Sequence, residues 1–137
     1  MKLKIITQER VVFDEEVDAV YTRGIDGEFG ILKGHVPIMT ALDIGVTRAV
    51  IGDETKSFTT MGGILQFKDE ECLILTTLAE AGEEIDEARA RDALERAKRK
   101  LRNAEARIEA KRAEAAIARA EARLKASLSG EKRFKLN

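Results

Sequence analysis

Residues 85–128, IDEARARDALERAKRKLRNAEARIEAKRAEAAIARAEARLKASL, contain neither Gly nor Pro and are dominated by Ala, Arg, Lys and Glu. These are strong helix formers, and the two strongest breakers are absent, so the stretch reads as helix. At 1.5 Å rise per residue a single helix of this length would reach about 66 Å, several times the usual helix. It must either fold back or extend toward a partner. Ala90, Leu94, Ala97, Leu101, Ala104 and Ile108 step by 4, 3, 4, 3 and 4, a heptad seam. A second seam runs through Ala113, Ile117, Ala120, Leu124 and Leu128. The phase slips between Ile108 and Ala113, which predicts two helices with the break near Glu109 to Arg112. Asn103 is the one nearby residue that tolerates the left-handed conformation. Both seams are mostly Ala, so pairing the helices buries little apolar area, and an extended form lies within a few kcal/mol.

Before this stretch, the chain is patterned for strands. Residues 2–7, KLKIIT, alternate with period 2, and β-rich runs follow at 11–13, 17–23, 46–51, 56–60, 64–67 and 72–78. Ile25-Asp26-Gly27, Gly52-Asp53, Gly62-Gly63 and Lys68-Asp69-Glu70 separate them with turn chemistry. Seven or more short strands imply an antiparallel sandwich or barrel. Gly82 closes the strand pattern, and Glu83, Glu84 and Asp86 place negative charge where a helix dipole favours it. The chain therefore divides into a β domain, 1–82, and an α-helical domain, 83–137, an α+β arrangement. Ser129 to Asn137 reads as a short polar tail.

Composition narrows the chemistry. The 137 residues suffice for a small core of Ile, Leu and Val, since aromatics make up 4% and Trp is absent. With one Cys, Cys72, and one His, His35, neither an internal disulfide nor a Cys/His zinc site is available. The start lacks a signal-peptide pattern, and no apolar run approaches a membrane span, so a cytoplasmic setting is expected. The net charge of −1 hides a division: residues 1–82 hold 8 Lys+Arg against 14 Asp+Glu, whereas 83–137 hold 16 against 11. The densest basic cluster, Arg96, Lys98, Arg99, Lys100 and Arg102, is either a solvated face or a surface for an acidic partner. No aromatic lies between Ile85 and Leu128 to stack on bases, which disfavours nucleic acid. The glycines at 24, 27, 30 and 34 match no phosphate-binding fingerprint, and no nucleophile, base and orienting group occur together.

The stretch Gly27-Glu28-Phe29-Gly30-Ile31-Leu32-Lys33-Gly34-His35-Val36-Pro37, followed by Thr40, Leu42 and Gly45, resembles the hallmark of the epsilon subunit family of bacterial F-type ATP synthase. Gly62-Gly63-Ile64-Leu65-Gln66-Phe67, with Ala79-Glu80 after it, is similar to the family's second motif but lacks its Phe and Glu. The resemblance implies a flattened sandwich of about ten strands and a two-helix hairpin that can extend. It implies a non-catalytic rotor subunit, peripheral on the cytoplasmic face of the cell membrane, which couples proton-driven rotation to ATP synthesis and restrains ATP hydrolysis. The implied partners are the gamma subunit, the c-ring and the alpha and beta subunits, contacted through Glu28, Gly30, His35 and Pro37 and through the basic cluster. No cofactor is required. Ile85-Asp86-Glu87-Ala88-Arg89-Ala90 also resembles the motif with which some members bind ATP as a regulatory ligand, with Arg96, Arg119 and Arg123 completing the phosphate site. Alternatively, Asp86 simply caps a helix and Arg89 pairs with an acid one turn away. A standalone ATP-sensing module is the competing functional reading.

Overall fold

The computed structural model describes residues 1–135, with side-chain surroundings as far as Ser127. Eight strands come first: β1 (Lys2–Ile6), β2 (Val11–Glu16), β3 (Ala19–Gly24), β4 (Gly27–Leu32), β5 (Ile38–Ile51), β6 (Glu54–Lys68), β7 (Glu71–Leu75) and β8 (Ala79–Ala81). A single 3-10 turn, Gly82–Glu84, leads to α1 (Glu87–Arg102) and α2 (Arg107–Lys135). The predicted α+β architecture is present, a β-sandwich followed by a helical hairpin. Several details differ from expectation.

There are eight strands rather than about ten, because β5 and β6 are 14 and 15 residues long and each serves both layers. Gly62 and Gly63, expected to end a strand, instead sit inside β6 with φ of +78° and +118°. They interrupt the strand without ending its pairing with β5. On one side of this point, residues 54–61 of β6 pair with the second half of β5, with β3 and β4 beyond, and β8 pairs along β6. On the other side, residues 64–68 pair with β7, followed by β1 and β2. The sheet is not wholly antiparallel, since β1 and β7 run parallel. β4 is a strand that glycine content concealed. Gly30 tolerates the strand because the Tyr21 ring occupies the space that a Cβ would need, 2.8 Å away.

The layers close on one apolar cluster. Leu3, Ile5, Leu65, Phe67 and Ile74 from one layer meet Val20, Ile31, Ala49 and Phe58 from the other. Phe13 on β2 meets Phe58 on β6 edge to face, with centroids 5.1 Å apart. Beside this contact runs a buried hydroxyl chain: Thr22 to Thr47 at 2.8 Å and Thr47 to Thr60 at 3.0 Å. Each hydroxyl satisfies its neighbour, removing the cost of unpaired polar atoms. Cys72 is a small buried core residue, its thiol pushed up to about 12 by burial.

The hairpin turns at Asn103 to Ala106, upstream of the expected Glu109 to Arg112. Asn103 is not left-handed. It caps α1 at φ −97°, ψ 2°, and its N–H donates to the Arg99 carbonyl. Seam residues Ala90, Ala97, Ala113 and Ala120 are buried. Ile108, assigned to the first helix by periodicity, lies in the first turn of α2 and is 61% exposed. α2 also runs past Leu128 to Lys135, so most of the expected polar tail is helical backbone. The Leu128 side chain and residues 136–137 lie outside the described residues.

α2 packs on α1 and on the outer faces of β5 and β6. Ala122 and Ala126 allow the close approach. Gly82 completes it, since a Cβ there would stand 2.6 Å from the Ala126 carbonyl oxygen and 3.2 Å from that of Ser57.

Candidate functional site

The junction between sandwich and hairpin gathers part of the sequence-derived nucleotide set. Ile85 precedes α1, its N–H donating to the Gly82 carbonyl at 3.2 Å. Asp86 is the N-cap of α1: Oδ1 accepts from the Arg89 backbone N–H at 3.1 Å. The alternative role for Asp86 is therefore realised. The expected ion pair one turn away belongs to Arg91 with Glu87, at 3.0 Å, rather than to Arg89. Arg89 is exposed and Ala90 is buried in the helix seam. In antiparallel helices the equal spacing of Ala90 to Ala97 and Ala113 to Ala120 sets the Ala120 turn beside the start of α1. Arg119 and Arg123 are thus level with Asp86 and Arg89.

The Arg123 side chain is already engaged. Its Nε donates to Glu80 Oε1 on β8 at 2.7 Å, and Thr59 Oγ1 donates to the same oxygen at 3.3 Å. A second cross-link joins Lys125 Nζ to Glu28 Oε1 at 3.4 Å. Together these tie α2 to the sandwich through half-buried and exposed groups. Glu80 stood in the sequence only as the end of the Ala79-Glu80 motif, with no contact assigned to it, and Lys125 was not singled out. Their signal was only their placement at β8 and on α2, which requires the fold.

The other expected contact residues do different work. Glu28 faces α2, and Gly30 lies under Tyr21. His35 Nδ1 is 2.6 Å from the Val36 carbonyl oxygen, and its ring stands edge-on to Phe67 at 5.9 Å. Pro37 is exposed in the same loop. Arg96, Arg99, Lys100 and Arg102 are exposed on the last turns of α1, and Lys98 is half-buried. Positive charge there complements the carboxyl end of the helix dipole.

An apolar belt went unrecognised in the sequence. Val11, Ile6, Leu75, Ile64 and Ala41 stand opposite one another in register across β2, β1, β7, β6 and β5. The Ile25 N–H donates to the Ala41 carbonyl at 3.3 Å, adding a sixth apolar residue to the row. Val11, Ile25, Ile64 and Leu75 are between 45% and 64% exposed, and Met39 beside them is 66% exposed. The next residue along each inner strand points the other way: Ile5, Leu65 and Ile74 are fully buried. At about 4.8 Å between strands, the five-strand row spans about 19 Å. α2 covers the opposite layer, so the hairpin leaves this face bare. The signal was the consecutive apolar pairs Ile5-Ile6, Ile64-Leu65 and Ile74-Leu75, which give a strand two apolar faces.

The comparisons with known proteins cover both parts of this arrangement. The β-sandwich domain of the ATP synthase delta/epsilon chain matches residues 1–82, and the long α-helix domain of the same chain matches residues 83–127. The ATP synthase epsilon chain of Carboxydothermus hydrogenoformans is 45% identical over 100 residues, covering 73% of this chain and 75% of the relative. That of Dehalococcoides mccartyi is 48% identical over 98 residues, covering 72% and 70%. Among solved structures, a chain of the Euglena gracilis mitochondrial ATP synthase, seen in its OSCP/F1/c-ring assembly, superposes with a TM-score of 0.80. It is 27% identical, with 92% of this chain and 79% of that one covered.

Proposed function

The chain belongs to the ATP synthase delta/epsilon chain family, and from that premise we propose how its two parts divide their work: the sandwich holds the chain on the rotor, and the hairpin regulates hydrolysis. It is a non-catalytic subunit of the ATP synthase central stalk, with the gamma subunit, the c-ring and the alpha and beta subunits as partners. Membrane association is peripheral, through the complex. No described helix is long and apolar enough to cross a membrane. The reading places the chain on the cytoplasmic face of a bacterial membrane, in keeping with bacterial relatives.

The apolar belt from Val11 to Ile25 is the seat on the central stalk. An exposed apolar row with charged residues such as Lys2, Lys68 and Glu71 four residues away along the same strands has the anatomy of an interface, an apolar centre with a polar rim. Burying four such side chains contributes several kcal/mol at about 25 cal/mol per Å².

The hairpin is the movable part. Its contacts with the sandwich are small buried residues and, among the described residues, two ion pairs; the pairs are partly exposed, so their net contribution is modest. The observation that carries the regulatory reading is the Arg123 to Glu80 ion pair, which closes α2 onto β8. ATP is the proposed regulatory ligand. Its phosphates would offer Arg123 a more highly charged acceptor than Glu80, with Arg89, Arg96 and Arg119 as further donors and the Ile85 to Ala90 segment bordering the site. Released, the basic turns from Arg96 to Arg102 would meet acidic surfaces of the catalytic subunits, an attraction weakened by salt.

Two experiments test this. A chain ending at Gly82 is expected to stay folded by circular dichroism, to remain on the central stalk, and to leave hydrolysis uninhibited in a reconstituted enzyme. Inhibition by the truncated chain equal to that by the full chain would refute the division. Calorimetric titration of the full chain with ATP is expected to give saturable heat that Arg89→Ala and Arg119→Ala weaken. No heat from the unmodified chain would remove ATP from the account.

A further inference from the structure

A groove distinct from the apolar belt opens where the sandwich meets α2. It is lined by β2, by the start of β6, by the Gly82–Glu84 turn and by Ala126 and Ser127 of α2. Its volume is about 660 Å³, within the range of small-ligand sites.

The groove is acidic. Glu15 on β2, Glu54 on β6 and Glu83 and Glu84 on the turn line it, and Lys56 is the one cation among its described lining residues, an excess of three negative charges. Lys56 is taken up by Glu15 at 3.6 Å, and among the described residues no cation pairs with Glu54, Glu83 or Glu84. These carboxylates are exposed, and alone they would be a solvated rim. Ser57 sets the groove apart. It is 8% exposed and lines the groove, yet its Oγ has no hydrogen-bond partner. A buried hydroxyl without a partner is a standing cost that a ligand donor would remove.

The chemistry of that ligand follows from what the groove already holds. Lys56 Nζ lies 5.8 Å from the centre of the Phe13 ring, so one alkylammonium is accommodated between an aromatic face and a carboxylate. A single metal ion does not suit the remaining acids, since no group of three acidic side chains among the described residues is placed to hold one. Carboxylates spread over three elements suit charges spaced along a chain. A peptide backbone finds little to pair with here. Gly82 sits over the Ser57 carbonyl, 3.2 Å from where its Cβ would be, and Thr55 is only 6% exposed.

We propose that this groove binds a linear aliphatic polyamine, with its methylenes along Phe13 and Ala81, its ammonium groups on Glu54 and the Glu83–Glu84 turn, and one N–H donating to Ser57 Oγ. Such a ligand ties β6 to the turn that precedes α1. The site is independent of the central-stalk reading and of the nucleotide set.

Spermidine, a trivalent polyamine, is the probe, titrated into the isotope-labelled full chain at low salt and followed by amide chemical shifts. Saturable shifts are expected at residues 13–15, 54–58 and 81–84. Glu83→Gln with Glu84→Gln is expected to weaken binding at least about fivefold, and Glu54→Gln about two- to fivefold. Ser57→Ala is expected to weaken it about three- to tenfold without lowering the thermal midpoint, because the hydroxyl it removes has no partner in the free chain. No saturation, or shifts scattered over the other acidic surfaces, would overturn the proposal. Equal shifts from magnesium ion at the same charge concentration would reduce the effect to screening and overturn it as well. Binding indifferent to Ser57→Ala would deny a built site. Tighter binding at the same residues by the peptide acetyl-Lys-Val-Lys-Val-Lys-amide would give the groove to a protein partner instead.

Discussion

Arg123 and Glu80 lie 43 residues apart and meet at 2.7 Å, joining the last strand to the second helix. Their side chains are 28% and 35% exposed, so solvent screening discounts the pair to about 0.5–1 kcal/mol. Arg123→Ala or Glu80→Gln should therefore raise the opening of α2 by about two- to fivefold, read as faster amide exchange at residues 113–126. Exchange in the core strands should not change. A double-mutant cycle with zero coupling would show that this pair does not hold the hairpin.

Gly82 makes a larger prediction with no charge involved. A Cβ at this position would meet backbone oxygens of both α2 and β6, neither of which can rotate away. Gly82→Ala should cost on the order of 1–3 kcal/mol, released by undocking α2 rather than by unfolding the sandwich. Gly63→Ala should differ in kind, because its φ of +118° and the nearby Leu75 carbonyl lie within the sheet. That variant should lower the global thermal midpoint, while Gly82→Ala mainly accelerates proteolysis of the hairpin.

Much of this was legible in the sequence, and the misses have physical causes. The Asp86 cap, the Gly52 and Asp69-Glu70 turns and the two alanine seams follow from local chemistry. β4 was hidden because Gly27 and Gly30 read as turn formers, while a neighbouring aromatic ring makes Gly30 a strand residue. The parallel pairing of β1 with β7 depends on residues distant in the chain, Leu3 with Cys72 for example, which no local pattern records. The helix break was misplaced because periodicity reports which residues share a face in some state, not where this hairpin turns. The nucleotide set was only partly gathered, with Asp86 and Arg123 already committed to a cap and an ion pair.

Asp86 carries two proposed roles that substitution can separate. Asp86→Ala removes the cap from Arg89 N–H and should cost about 1 kcal/mol, fraying residues 87–90. Asp86→Ser retains a capping oxygen but loses the charge. Equal ATP affinity for the Ser variant and the unmodified chain would show that Asp86 serves the helix and not the nucleotide.

Burial raises the Cys72 thiol from 9.0 to about 12 in the folded chain. The folded state thus binds the proton more tightly than the unfolded state. Stability from this group is complete below about pH 9 and is withdrawn as pH rises from 9 to about 12. The slope approaches at most about 1.4 kcal/mol per pH unit. Denaturation midpoints should fall across that window and flatten in Cys72→Ala. A slope unaltered by the substitution would assign the loss to other groups. Alkylation at about pH 8 should track global unfolding.

The most direct test of the account is placing charge in the apolar belt. Ile64 and Leu75 pair across β6 and β7 and are 48% and 45% exposed, so Ile64→Glu with Leu75→Glu leaves the buried core intact. Sedimentation of the double variant with the ATP synthase central stalk, beside the unmodified chain, is the measurement. The account predicts a variant that folds, by circular dichroism and thermal midpoint, yet loses association by about a hundredfold or more, as two desolvated carboxylates require. A folded variant that sediments with the stalk as fully as the unmodified chain would contradict it.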